Sequence, residues 1–325
     1  MATTDSIPVI KVLFTLHAGM DAMDFIGPLE VLTHAQHNVN DSCELRHPDI
    51  PDLSELPPTV PLHVRRNAFS LAGTPLIRHH RPATKAFEVV FAAENENTIS
   101  SQGAAFRAHV DYKQALKRLA EFDILIVPGG GVEAILKAKS EPLGIVKAFS
   151  DLQKKHPEKE RTLMSIGTGS MFLAQQGILS GLSATTHPDY SAKFEKLNGE
   201  IAQRDLAERC DFVEERYVVN NLRFDLGNPE ENPYVRRKSD ARRPSVGRKG
   251  SNAWKESNTR RESNARRAAL RLGGLRVITS GGVTAGIDAS LYLVSIMVSE
   301  EAAKEIERVM QYTWTKGIVV DGIDI

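Results

Sequence analysis

Two kinds of apolar pattern alternate along the chain. "IPVIKVLFTL" (7–16) is an unbroken apolar, β-branched run, as a strand buried on both faces requires. "MDFIGPLEVLTHAQH" follows, with a possible cap at Asp21 and apolar residues at Phe25, Leu29 and Leu32, which is helical spacing. The contrast then recurs. "AFEVVFAAE" (86–94) predicts a second strand, "YKQALKRLAEF" a helix, and "FDILIVPGGG" (122–131) a third strand ending in a glycine turn. "GVEAILKAKSEPLGIVKAFSDLQKK" predicts one or two helices, and "RTLMSIGTGSMFLAQQGILSG" (161–181) runs from a strand through a tight turn into a helix. "LRVITSGGVTAGIDASLYLVSIMVSEEAAKEIERVMQY" repeats the design, with helix nearly to the C-terminus. This order predicts an α/β fold with a doubly wound, mostly parallel, flavodoxin-like sheet flanked by helices, whose sites lie outside the carboxyl ends of its strands. All three glycine turns fall at such ends.

Two segments break the pattern. Residues 41–85 are Pro-rich and without periodicity, and read as a long connection. Residues 235–272 hold thirteen Lys and Arg against three acidic residues, a net of +10 within a chain whose 41 basic and 41 acidic residues cancel. The near-repeat "ESNTRRESNARR" has the composition of disorder. A nucleic-acid arm, a solvated insertion and translated non-coding sequence are three readings of it. Only Trp254 is available there to stack on a base, which favours the insertion and weighs against nucleic acid as a partner. Cys43 and Cys210 stand far apart without CxxC spacing, and no histidine pair has ligand spacing, so neither disulfide nor metal is expected. The glycine turns match neither a dinucleotide fingerprint nor a P-loop, so no cofactor is expected. No window approaches the roughly eighteen unbroken apolar residues of a membrane span, and "MATTDSIPVIKVLF" lacks the pattern of a signal peptide; a cytoplasmic protein without membrane contact is expected.

The chemistry centres on residues 165–169. Ser165, Gly167 with Thr168, and Gly169 have the small-x-nucleophile-x-small spacing of a strand–elbow–helix, in which the middle side chain stands exposed on a strained turn. The middle residue is Gly167, which has no side chain.

"DFIGPLEVL" (24–32), "AAENENTISSQG" (92–103), "FDILIVPGGG" (122–131), "SIGTGSMFLAQQGILSGLSATTH" (165–187) and "VITSGGVTAGIDASL" (277–291), in that order, resemble the DJ-1/PfpI superfamily. The resemblance is strongest to the branch holding isonitrile hydratases and the amidotransferase-like domains of certain transcription regulators. It implies one DJ-1-like domain over 7–325, with 41–85 a connection and 222–274 an insertion within it; "ERYVVN" (215–220) would otherwise join "LRVITSGG" almost directly. The two helix-turn-helix units that the regulators would need are not visible.

In that family the elbow residue is a cysteine, and alignment places it on Gly167. Asp24 matches the acidic residue beside the thiol, and Thr168 the hydroxyl next in sequence. Gly130, Gly131 and the Thr168 amide would supply backbone donors for developing negative charge, and His187 either a second acid or base or a structural loop residue. Asp24 reads equally as a helix cap. The resemblance implies a homodimer with a small-molecule substrate. Two functions follow: a lyase adding water to an isocyanide to give an N-formamide through Asp24 and Thr168, or a catalytically inactive relative that keeps the fold for binding.

Overall fold

The computed structural model describes residues 9–37, 84–156, 159–222 and 274–321. The Pro-rich and basic segments, with Cys43 and Trp254, lie outside the described residues apart from the ends at 84–85, 222 and 274.

Eight strands form the main sheet: β1 Ile10–Thr15, β2 Phe87–Ala93, β3 Val110–Asp111, β4 Ile124–Val127, β5 Arg161–Ile166, β6 Tyr217–Leu222, β7 Leu275–Ser280 and β8 Ile318–Asp321. Their order is β8-β6-β7-β5-β4-β1-β2-β3. Every neighbouring pair is parallel except β6 with β7, which are antiparallel from Tyr217 opposite Ser280 to Leu222 opposite Leu275. This is the doubly wound, flavodoxin-like α/β fold expected from the apolar pattern.

The helices are α1 Ala22–His34, α2 Tyr112–Lys117, α3 Val132–Ala138, α4 Leu143–Lys155, α5 Ser170–Gln175, α6 Ser191–Asp205, α7 Thr284–Met297 and α8 Glu300–Met310. The period of two along each strand sorts side chains into two cores. Leu13, Leu125, Leu163 and Val277 pack with Phe149, Phe172 and Phe194 on one face. Phe14, Ile126, Met164 and Ile278 pack with Phe25, Leu291 and Ile306 on the other. Such central strands, buried on both faces, read in sequence as continuous apolar runs.

The C-terminal reading needs correction. Helix does not continue to the end: Ser299 caps α8 by accepting the Ala302 N–H, α8 ends at Met310, and β8 then pairs with β6. Among the described residues no helix is long and apolar enough to cross a membrane.

The sheet reverses its winding at β1, which lies between β2 and β4. Crevices at such a switch point are where ligands of this architecture bind.

Candidate functional site

Three turns meet beside the switch point, and one carboxyl group ties two of them together across the third. Asp21 caps α1, its side chain accepting the N–H groups of Met23 at 2.8 Å and Asp24 at 3.4 Å. The cap is therefore Asp21, and the capping alternative for Asp24 does not hold. Asp24, in the first turn of the helix, accepts the Gly129 N–H on Oδ2 at 3.1 Å and the Val283 N–H on Oδ1 at 2.6 Å. It is only 3% exposed. Burial raises its pKa to about 6, against the pull of the two amide bonds; Asp21 adds to the rise and His187 opposes it.

Gly167 follows β5 with φ +53°, and a Cβ there would lie 2.9 Å from Asp24 Oδ2 and 3.2 Å from Gly282 Cα. A side chain at the elbow would thus be aimed at the Asp24 carboxyl. The space a side chain would need is already taken up by Asp24 and Gly282. Glycine adopts this left-handed backbone without the steric cost a larger residue meets. The Gly167 carbonyl is held from behind, by Ser170 Oγ at 3.0 Å and Thr186 Oγ1 at 3.3 Å.

Of the expected backbone donors, Gly130 is turned to another partner. The Gly130 N–H is committed to Thr168 Oγ1 at 2.8 Å, and the Gly130 carbonyl to His17 Nε2 at 3.0 Å. Thr168 thereby positions the turn after β4, its hydroxyl oxygen accepting that bond. Gly131 begins α3 in the left-handed region, and a Cβ there would meet the carbonyl oxygens of Ala18 and Gly19 at 2.9 Å. It packs on the turn after β1 instead of on Gly167.

His187 lies beyond Gly282. Its Nδ1 accepts the Asp189 N–H at 3.3 Å, which leaves the neutral ring's proton on Nε2. Its Cδ2 edge lies 3.3 Å from the position of a Cβ on Gly282. There it borders a cleft of about 570 Å³ whose lining includes Thr186, Ser191, Phe212, Glu214, Arg216 and Gly282. Asp24, Gly167 and Thr168 are not among the lining residues. Of the predicted residues, the structure brings Asp24, Gly167, Thr168 and Gly130 together and places His187 on the cleft side.

Four contributors escaped sequence reasoning. Gly129 and Val283 act through backbone N–H groups, which no side-chain motif announces, although both stand in the quoted glycine turns. Val283 is a β-branched residue at φ +50°, a conformation kept only where surroundings impose it. His17 is 5% exposed, its pKa lowered by burial despite the Gly130 bond. Arg216 pairs with fully buried Asp288, whose Oδ1 also accepts Tyr312 Oη–H at 3.1 Å and the Thr315 N–H at 2.9 Å. Among the described residues no group of three or more His, Cys, Asp or Glu could hold a metal ion.

The DJ-1/PfpI family model matches residues 76–221, a span running from β2 through the elbow to β6. The chain is therefore similar to that family over this region. No curated protein matches the sequence. Among solved structures, an AraC family transcriptional regulator from Pseudomonas putida is 12% identical, with a TM-score of 0.49 over 93% of this chain and 99% of that one. A ThiJ/PfpI family protein from Pseudomonas syringae is 15% identical, at 0.49 over 95% and 78%. Schizosaccharomyces pombe DJ-1 is 14% identical, at 0.49 over 94% and 100%.

Proposed function

We propose that this chain is a DJ-1/PfpI-type protein that has given up covalent chemistry at its elbow and binds a small molecule non-covalently in the adjoining cleft. The observation that supports it best is Gly167 itself: the nucleophile position carries no side chain, and Asp24 Oδ2 and Gly282 Cα close over it. A cleft of about 570 Å³ falls within the roughly 300–1,000 Å³ common for ligand sites. It shares Gly282 with the elbow and keeps the Nε2–H of His187 as a donor at its edge. The reading extends to a homodimer, since Met23 and Ile26 on α1 and nearby Val283 are each about 40% exposed and apolar.

One observation favours the isonitrile hydratase-like reading. Asp24 holds a proton up to about pH 6, and its Oδ2 faces Gly167 as an acid protonating an isocyanide carbon would have to. Cyclohexyl isocyanide incubated with the protein separates the two readings. Non-covalent binding leaves the isonitrile infrared band decaying at the buffer rate, whereas faster decay with N-formamide appearing establishes the lyase.

A further inference from the structure

The cleft beside the elbow has a charge pattern that selects among ligands, and this inference rests on the binding reading above. Its charged residues are Glu214, Glu215 and Arg216, with His187 at the edge. Arg216 is not available as a free cation: its Nε donates to Asp288 Oδ2 at 2.7 Å, and its Nη2 bonds the same oxygen, Thr284 Oγ1 at 3.0 Å and Tyr312 Oη at 3.1 Å. The carboxylate answering it is fully buried, so the pair is neutral as the cleft meets it. Glu214 and Glu215 are exposed and form no ion pair with any described residue.

The remaining lining is apolar or hydrogen-bonded within the protein, apart from the Ser191 hydroxyl. Phe212, Pro188 and Ala285 supply the apolar surface. The Thr185 hydroxyl donates to the Glu215 carbonyl at 3.2 Å, and that of Thr186 to Gly167. A site of this size with an apolar wall, an aromatic residue and two acidic residues that pair with no described cation is matched by a small organic cation.

We propose that the cleft binds a protonated amine on an aromatic or apolar body, with the ammonium group against Glu214 and Glu215 and the body against Phe212. A carboxylate of the same shape is disfavoured by the two glutamates.

Three probes of nearly one shape test this on the full chain: benzylamine, benzyl alcohol and benzoate, titrated at neutral pH by ligand-observed NMR. Benzylamine should bind about five- to tenfold more tightly than benzyl alcohol, the range two partly solvated charge contacts supply, and benzoate most weakly. The double variant Glu214→Gln, Glu215→Gln should abolish the preference, bringing benzylamine to the affinity of benzyl alcohol. Both positions are exposed, so folding is not at stake. Equal affinity for amine and alcohol, tighter benzoate binding, or a preference that survives the double variant overturns the cation assignment while binding itself stands. Failure of all three probes to bind at millimolar concentration overturns the binding reading, and this one with it.

Discussion

Asp24 in the first helix accepts the backbone N–H of Val283, 259 residues further on, at 2.6 Å, and this bond holds a β-branched residue at φ +50°. With the second bond to Gly129, one carboxyl group fastens the turns after β4 and β7 on either side of the elbow after β5. The arrangement is costly, because a buried carboxylate is disfavoured relative to one in water.

That cost is measurable as a pH dependence. The pKa of Asp24 is raised in the folded state, from 3.8 to about 6, so folding favours its protonated form. Its stabilising contribution is full below pH 3.8 and is lost as pH rises to about 6, in all on the order of 3 kcal/mol at roughly 1.4 kcal/mol per pK unit. Urea unfolding of wild type and Asp24→Asn between pH 4 and pH 7 reads the effect, since the two proteins share every other titrating group and only the neighbours Asp21 and His187 feel the lost charge. The wild type should lose stability relative to the variant as pH rises. A constant difference, or one of opposite sign, would show that Asp24 is not buried as described.

Arg216→Met should destabilise by about 2–3 kcal/mol, somewhat under the 3–5 kcal/mol expected for a wholly buried pair, because it strands the Asp288 carboxylate while Arg216 itself is 37% exposed. Arg216→Met combined with Asp288→Leu should recover part of the loss. Chemical denaturation of the three proteins checks this, and equal stability of single and double variants would show that the two residues are not coupled.

Five of the eight strands, β1, β2, β4, β5 and β7, were legible from the apolar runs, because strands buried on both faces need unbroken apolar stretches such as "VLF" in β1 and "ILIV" in β4; β3, β6 and the order of the strands in the sheet were not read from the sequence. β8 was not legible: Ile318–Asp321 is a short edge strand following a helix, with Ile318 and Val319 partly exposed, and its pairing with β6 is a tertiary choice. At the site, the elbow could be found because its glycines have a local spacing. The donors on Asp24 could not, because backbone N–H groups are brought to it from positions 129 and 283 by the topology alone. The Gly130 N–H, one of the donors the resemblance implies, is bonded to Thr168 Oγ1, a pairing that a glycine turn in the sequence does not announce.

A hairpin prediction follows from β6 and β7. The Gly274 N–H bonds the Leu222 carbonyl at 2.5 Å, so the two ends flanking 223–273 already stand side by side. Replacing 223–273 by Asn-Gly, a turn suited to antiparallel strands, should shift the melting temperature by no more than a few degrees, as loop closure depends weakly on length. Loss of cooperative melting in the shortened protein would mean that the removed residues belong to the folded core.

Assembly can be tested at α1. Ile26, exposed and one turn from Met23, is a good position to place a charge against an apolar contact. Light scattering should give about twice the 35.8 kDa chain mass for wild type and the single chain mass for Ile26→Glu. A wild-type monomer would contradict the homodimer.

The closed elbow is tested most directly by Gly167→Cys labelled with iodoacetamide in the folded state and read residue by residue by mass spectrometry. A side chain at φ +53° should cost about 1–3 kcal/mol, so the variant melts lower but remains folded. With Asp24 Oδ2 at 2.9 Å and Gly282 Cα at 3.2 Å from its Cβ, the new thiol should be modified no faster than Cys210, whose thiol is buried with its pKa pushed up. Modification of residue 167 well ahead of Cys210 would mean that the elbow still presents a side chain to reagents, and would contradict the claim that it has closed.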